Sequence, residues 1–323
     1  MRNPAIELWR CFCMFAVVLG HVLVYNGLAP RSLFLWHIPG FLVISGFFGI
    51  KFSIQKFFKL LLIVWSCYWL TIPLRGDETL VSLMMPHGGW FFPFYVTMML
   101  TAVIWNAATE RRENDVGIVL VIGVLMLFET ISLICPRACM LSIVTGNNEW
   151  GFLLLLSMYL LSRIAAQRHI MDKVNGLACL ILFVCCILGS FIVVPYFQRL
   201  QTYTQPISIL AGFMGFFAFS KLIRLPPVLA KLVCFISPSM FSVYLIHECC
   251  VKQYTHADFP APTLGWAFGR TFLIFVGCIA IDLVRRYFSS WQESCINGGE
   301  KIDEVCNCNY TLLQSRKVSC ADA

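Results

Sequence analysis

The chain has 323 residues, of which 59% are hydrophobic and 13% charged, whereas soluble domains average about 45–50% apolar and about 25% charged residues. This composition excludes an ordinary soluble domain and predicts an integral membrane protein. The formal net charge of +7 does not indicate a nucleic-acid partner, because the Lys and Arg residues lie between apolar segments and form no single patch. Most of the 16 cysteines lie inside the apolar segments, where Cys acts as a small apolar side chain, so we expect no disulfide framework.

Apolar runs follow one another along the chain, and all are predicted to be helices. Since a membrane span requires about 20 mostly apolar residues, we expect an all-α fold, a polytopic transmembrane bundle of about ten spans. The first run has no cleavage site and is expected to be a retained span. The second is short and contains Ser45 and Gly46, which predicts a tilted or broken helix. The runs lie near residues 8–28, 38–50, 57–74, 90–108, 116–135, 150–166, 175–197, 205–222, 232–251 and 265–288.

The basic residues predict the orientation of the bundle. If the N-terminus is cytoplasmic, fifteen Lys and Arg residues, Lys51 among them, fall on inner segments and five on outer ones, leaving aside Arg270 and the C-terminal tail. This asymmetry is the one that the positive-inside rule requires. An even number of spans then places both termini in the cytoplasm. We expect a membrane domain over 1–288 and a flexible cytoplasmic tail over 289–323, where the apolar periodicity is lost. No metal site is predicted, because the cysteines of the tail do not have the spacing of a zinc site.

The first run carries three ionisable residues, Glu7, Arg10 and His21. Such side chains are costly inside a membrane and usually face the bundle interior or a water-filled cavity. At about 100° per residue, the step from Arg10 to His21 comes within about 20° of three full turns, and Glu7 lies on the same side. The step rises about 16 Å. One helical stripe is therefore predicted to link a cytoplasmic Arg10 to a buried His21.

His21 is a candidate base, because histidine can accept a hydroxyl proton near neutral pH and return it later. The alternative is a histidine that only hydrogen-bonds a neighbouring helix. Arg10 favours the first interpretation. A guanidinium at the cytoplasmic boundary, with Lys56 and Lys59 on the next inner segment, forms a plausible anion site.

These residues resemble a known family. Glu7-Leu8-Trp9-Arg10, followed by ten residues and His21, is similar to the opening helix of acyltransferase family 3, whose members are multi-span membrane proteins that O-acylate sugars and other envelope molecules. The resemblance spans about residues 3 to 288, and no esterase-like domain follows, as in stand-alone members. Similar segments are 41–47, which contains Ile44-Ser45-Gly46, the lysine-rich 56–61, 89–92, and 237–247, which ends in Tyr244-Leu245-Ile246-His247.

The resemblance implies a membrane O-acyltransferase in the cytoplasmic (inner) membrane of a bacterium. Its donor substrate would be acyl-coenzyme A, commonly acetyl-coenzyme A, and its acceptor a hydroxyl of an envelope sugar, polysaccharide or glycolipid, with no permanently bound cofactor. Arg10 and His21 match the family's essential pair, His21 as base and Arg10 as a donor contact or a structural contact. We expect Lys56, Lys59 and Glu7 to contribute to donor binding as well. The chain departs from the family pattern in having Trp9 beside Arg10 and Lys rather than Arg before the third span.

Three further residues are candidates for acceptor binding or for support of His21. Tyr244 and His247 share a helix face, although Tyr and His are also ordinary residues at membrane boundaries. Ser45, with Gly46, is more typical of close helix packing than of a nucleophile. Weaker acceptor candidates, whose composition is also that of an aromatic belt, are Trp36, His37, Trp90 and residues 147–150.

Two other functions are compatible with the sequence. Intramembrane charges and many spans also suit a transporter or flippase of a polar lipid-linked substrate, although no inverted repeat and no paired Gly/Pro-broken helices are evident. A catalytically silent scaffold is the third interpretation, and Arg10 and His21 argue against it.

Overall fold

Every element in the described part of a computed structural model is helical. The structure describes residues 3–28, 31–72, 91–134, 152–193, 206–253 and 263–296. Short 3₁₀ turns lie at Arg31–Phe34 and Ser237–Ser239. The α-helices in these ranges are α1 Pro4–Tyr25, α2 His37–Phe48, α3 Ile54–Leu70, α4 Phe91–Glu110, α5 Asn114–Ile134, α6 Phe152–Gln167, α7 Ile170–Lys173, α8 Gly176–Val193, α9 Pro206–Leu222, α10 Pro227–Ile236, α11 Met240–Gln253 and α12 Leu264–Ile296.

Each predicted run contains a helix, and three helical segments of the described chain are long and apolar enough to cross a membrane. They are Pro4–Tyr25, Pro227–Val251 and Leu264–Phe288. The all-helical membrane fold is therefore confirmed, while about ten spans stays a prediction. The second run forms α2 alone, whose 12 residues rise only about 18 Å at about 1.5 Å per residue.

The ninth run is interrupted where α10 ends and α11 begins. Pro238 lies in the 3₁₀ turn between them, and proline has no N–H for a helical hydrogen bond. The turn brings Ser237 to the side of α1. This interruption was not predicted from the apolar run, and it places a polar side chain against the first helix.

Helix α1 packs against α2, α9, α10 and α11. Its start is well defined, because the side chain of Asn3 accepts a hydrogen bond of 3.0 Å from the N–H of Ala5 and Pro4 occupies the first helical turn, where its missing N–H costs nothing. Glu7 adds a carboxylate to the positive end of the helix dipole. The helix that carries the predicted stripe is thus surrounded by protein.

Trp9 fills the space between α1, α2 and α9. It is fully buried, and its ring centroid lies 5.4 Å from that of Trp36 and 4.8 Å from that of Phe219. A Cβ built on Gly40 would come within 3.1 Å of the Trp9 ring, and one built on Gly215 would overlap it. Two glycines therefore make room for Trp9.

The chain divides into two compact units, Met1–Ile279 and Ala280–Ala323. In the second, the buried carboxylate of Asp282 pairs with Arg285 and Arg286, each at 2.7 Å. Helix α12 continues to Ile296, beyond the predicted end of the membrane domain at residue 288. Residues 297–323, which include most of the predicted tail, lie outside the described residues.

Candidate active site

The ionisable residues of α1 face one neighbouring segment, residues 237–247. Arg10 Nη1 lies 2.6 Å from Glu7 Oε2 and 3.4 Å from Ser237 Oγ. The Ser237 hydroxyl donates to the same Glu7 oxygen. Farther along, the ring centroids of His21 and His247 are 5.0 Å apart. Because Arg10 meets Ser237 and His21 meets His247, α1 and α11 run parallel, and the predicted stripe lies against a single partner.

Glu7 lies behind Arg10. The residue is 4% exposed, and a buried carboxylate requires partners to offset its desolvation. Arg10 and Ser237 are those partners. Glu7 does not line the cavity described below, so its predicted part in donor binding can only be exerted through the orientation of Arg10.

A cavity of about 490 Å³ opens beside Arg10. Its walls are mostly apolar and come from α2, α3, α4, the 3₁₀ turn before α11 and the first turns of α11. Lys51 and Lys56 also line it, so that three basic side chains face one apolar space. This volume falls in the range of about 300–1,000 Å³ that is typical of small-molecule sites, and the combination suits a ligand with both anionic and uncharged parts.

The structure brings some of the predicted site residues to the cavity and not others. Ser45 and Tyr244 line it together with Arg10 and Lys56, whereas His21, His247, Lys59 and Glu7 are not lining residues. The hydroxyl of Ser45 donates to the Phe41 carbonyl oxygen of its own helix at 3.1 Å. Gly46, beside it, lies in close contact with α6, as predicted for helix packing.

Lys51 and Ser237 line the cavity, although the sequence alone predicts no site role for either. Lys51 had been counted only among the inner positive charges, although its position just before Lys56 was a usable signal. Ser237 was part of a similar segment but had no predicted partner. Its role depends on Glu7, which is 230 positions away in the chain.

A short chain of rings connects the cavity to His21. Tyr244 lines the cavity, its ring centroid is 6.1 Å from that of His247, and His247 is 5.0 Å from His21. His21 is in turn 5.9 Å from Tyr25 on its own helix. The imidazole of His247 therefore separates the predicted base, His21, from Tyr244 at the cavity wall.

The environment of His247 determines which of its ring nitrogens is basic. Nδ1 lies 3.0 Å from the carbonyl oxygen of Val243 and 2.8 Å from that of Tyr244. Because carbonyl oxygens only accept, Nδ1 carries the hydrogen, and Nε2 keeps its lone pair. Within the described part of the chain, Nε2 is buried and has no hydrogen-bond partner. Such a nitrogen can accept a proton.

The weaker acceptor candidates have other positions. Trp36 is buried in the aromatic core against Trp9, and its indole N–H donates to the Leu33 carbonyl oxygen at 2.9 Å. His37, at the start of α2, is also buried. Trp90 and residues 147–150 lie outside the described residues.

Comparison with known proteins identifies the family of the chain. A family described as Acyltransferase domain matches residues 3–283, a range that includes every candidate site residue named above. No match was found among curated proteins or among solved structures. Because the match covers most of the 323 residues, the chain belongs to acyltransferase family 3 and is a membrane acyltransferase.

Proposed function

We propose that the protein transfers an acyl group, acetyl in the simplest case, from acyl-coenzyme A to a hydroxyl of an envelope sugar, polysaccharide or glycolipid. The observation that carries this proposal is the cavity that Arg10, Lys51 and Lys56 line together. Coenzyme A has anionic phosphates at one end and a long uncharged arm that leads to the thioester. Three cations in a mostly apolar space are complementary to that distribution of charge.

Arg10 is prepared for phosphate binding before the donor arrives. Glu7 and Ser237 hold one side of its guanidinium, while the side chain stays 27% exposed and lines the cavity. A guanidinium that is already oriented loses less entropy when it binds a phosphate in two-pronged geometry. Lys51 and Lys56 act as point charges beside it.

In the proposed reaction His21 takes the proton of the acceptor hydroxyl. The hydroxyl oxygen attacks the thioester carbonyl carbon, so that a C–O bond forms and the C–S bond breaks. The coenzyme A thiolate leaves and receives the proton from His21. His247, with its basic Nε2 near His21, supports this transfer, and Tyr244 joins the pair to the cavity.

The packing of α1 with α11 supports the proposed orientation in the membrane. Parallel packing is what alternating spans give for the first and ninth, and the basic side chains of the cavity belong to segments that the positive-inside rule assigns to the cytoplasm. The donor then enters from the cytoplasmic side of a bacterial inner membrane. Both termini lie on that side in this arrangement.

The test is acyl transfer by purified protein in lipid nanodiscs. Acetyl-coenzyme A with a labelled acetyl group is supplied with envelope glycans and glycolipids from cells that lack the gene, and mass spectrometry identifies the species that gains an acetyl mass. His21→Asn should reduce kcat by at least about 100-fold, the scale of general base catalysis. The matched control is His169→Asn, because His169 is 78% exposed and Asn tolerates its positive φ. Transfer at the wild-type rate by His21→Asn would show that His21 is not the base.

A further inference from the structure

A closed ring of hydrogen bonds holds the connection between α2 and α3. The N–H of Ile50 donates to the Tyr159 hydroxyl oxygen at 3.0 Å, and the Tyr159 hydroxyl donates to Asn106 Oδ1 at 2.9 Å. Asn106 Nδ2 closes the ring by donating to the carbonyl oxygen of Ile50 at 2.9 Å. Both polar groups of Ile50 are thus bound by side chains, one from α6 and one from α4.

Two residues of the ring are buried and the third, Asn106, is half-buried, and the polar atoms of the ring satisfy one another. Tyr159 is fully buried and Ile50 is 8% exposed. Burying a hydroxyl or an amide in apolar surroundings is costly unless each is hydrogen-bonded. A phenylalanine at position 159 would fill nearly the same space, so packing alone does not account for the hydroxyl, whereas its contact with Ile50 does.

The same face of α6 makes two further contacts with this part of the chain. Ser162 donates to the Val43 carbonyl oxygen in α2 at 2.6 Å. Arg163 packs on Gly49, where a Cβ would lie 2.9 Å from the guanidinium carbon. Gly49 itself has φ 72°, a conformation that glycine adopts without strain. The end of α2 and the residues after it are therefore fixed by α6 at several points.

The held segment is part of the cavity. Gly49, Ile50 and Lys51 are consecutive lining residues. A lysine side chain is flexible, and the position of its ammonium depends on the backbone from which it extends. Since side chains hold both the N–H and the carbonyl oxygen of Ile50, the backbone from which the Lys51 side chain extends is held as well.

We propose that Tyr159 and Asn106 are positioning residues for the acyl donor, because through Ile50 they hold Lys51 where its ammonium binds a donor phosphate. This inference rests on the proposed function. Neither residue lines the cavity, so their effect is indirect and is specific to the phosphorylated end of the donor.

The experiment is a double-mutant cycle of Tyr159→Phe and Lys51→Met, with two donors. Acetyl-coenzyme A carries the phosphates, and S-acetyl-pantetheine lacks them. Each single variant should raise the KM for acetyl-coenzyme A by about tenfold, the value of one charge-assisted contact, with kcat within about twofold. The double variant should be no worse than Lys51→Met alone, because residues that act through one contact are not additive. The KM for S-acetyl-pantetheine should be unchanged in all three.

Controls separate this inference from a loss of folding and from failure of the proposed function. Tyr287→Phe, at a residue that is 70% exposed, should behave as wild type. Asn106→Ala provides a second variant if Tyr159→Phe does not purify. The positioning role would be overturned if the rise in KM for acetyl-coenzyme A in the double variant were the product of the two single rises. An equal rise in KM for both donors would overturn it as well. Absence of transfer by the wild-type protein from either donor would instead contradict the proposed function.

Discussion

The two ends of the α1 stripe differ in how their polar groups are satisfied. At the N-terminal end, Glu7 and Arg10 pair with each other and with Ser237. At the other end, His247 has its Nδ1 hydrogen fixed by backbone carbonyls while Nε2 has no hydrogen-bond partner among the described residues. A paired charge is suited to holding a ligand, and a buried lone pair is suited to moving a proton. In the proposed function, donor binding and proton transfer therefore lie at opposite ends of the contact between α1 and α11.

The largest effect that tests this separation is expected at His247. His247→Asn should lower kcat by about 100-fold, the lower range for a proton-transfer residue, and leave the KM for acetyl-coenzyme A nearly unchanged, because the binding end is intact. Steady-state kinetics measure both constants. They are repeated at several pH values, because loss of a proton-transfer residue changes the pH profile of kcat and a purely structural change does not. Full kcat in this variant would exclude His247 from the reaction.

At the binding end, Glu7→Gln should give the opposite pattern. Arg10 keeps a hydrogen-bond partner but loses its charged one, so we expect the KM for the donor to rise by about tenfold, with a smaller change in kcat. The matched control is Glu113→Gln, whose carboxylate is 74% exposed. If Glu7→Gln lowered kcat and left KM unchanged, the assignment of this end to binding would be wrong.

Between the two ends, Gly215→Ala tests whether α1 depends on its packing. The added Cβ would overlap the Trp9 ring, and overpacking of this kind costs about 1–3 kcal/mol. We expect a lower melting temperature in detergent and a several-fold loss of both kcat and donor affinity, because α1 carries both ends. Gly277→Ala is the control, since no atom of the described residues lies within 4 Å of a Cβ there.

The smallest effect is expected at an ion pair away from the stripe. Arg168 donates to both carboxylate oxygens of Asp115, at 2.6 and 3.0 Å, and this hydrogen bonding holds the pKa of Asp115 below its ordinary value of 3.8. Stability from a lowered carboxyl pKa is complete above the ordinary value and is lost as the pH falls through the lowered one. Asp115→Asn should therefore reduce the melting temperature slightly and equally from pH 8 to pH 5. A difference from wild type that grew with rising pH in this window would contradict the assignment.

Much of the architecture could be predicted because it depends on local pattern. The apolar runs predicted where helices lie, and the 100° step predicted that Glu7, Arg10 and His21 share a side of α1. Contacts with residues 237–247 agree with that shared side. The family resemblance was confirmed by the match over residues 3–283.

The rest depends on contacts between distant parts of the chain. The ring around Ile50 joins residues that are 109 and 56 positions away, and nothing in the runs that contain Tyr159 or Asn106 distinguishes them from ordinary polar residues of a helix. The burial of Glu7 could not be predicted either, because it depends on a 3₁₀ turn that no periodicity indicates. Which lysines line the cavity also depends on how α2, α3 and α4 meet.

The placement of Trp9 limits the rotation of α1 about its own axis. Trp9 and Arg10 are adjacent, so their directions differ by about 100° around the helix axis. The indole is wedged into the space left by Gly40 and Gly215, and it acts as a rotational stop. Any turn of α1 that released the indole would swing Arg10 out of the cavity and His21 away from His247 at the same time. One aromatic side chain thereby sets the direction of two candidate site residues, Arg10 and His21, that lie about three turns of helix apart.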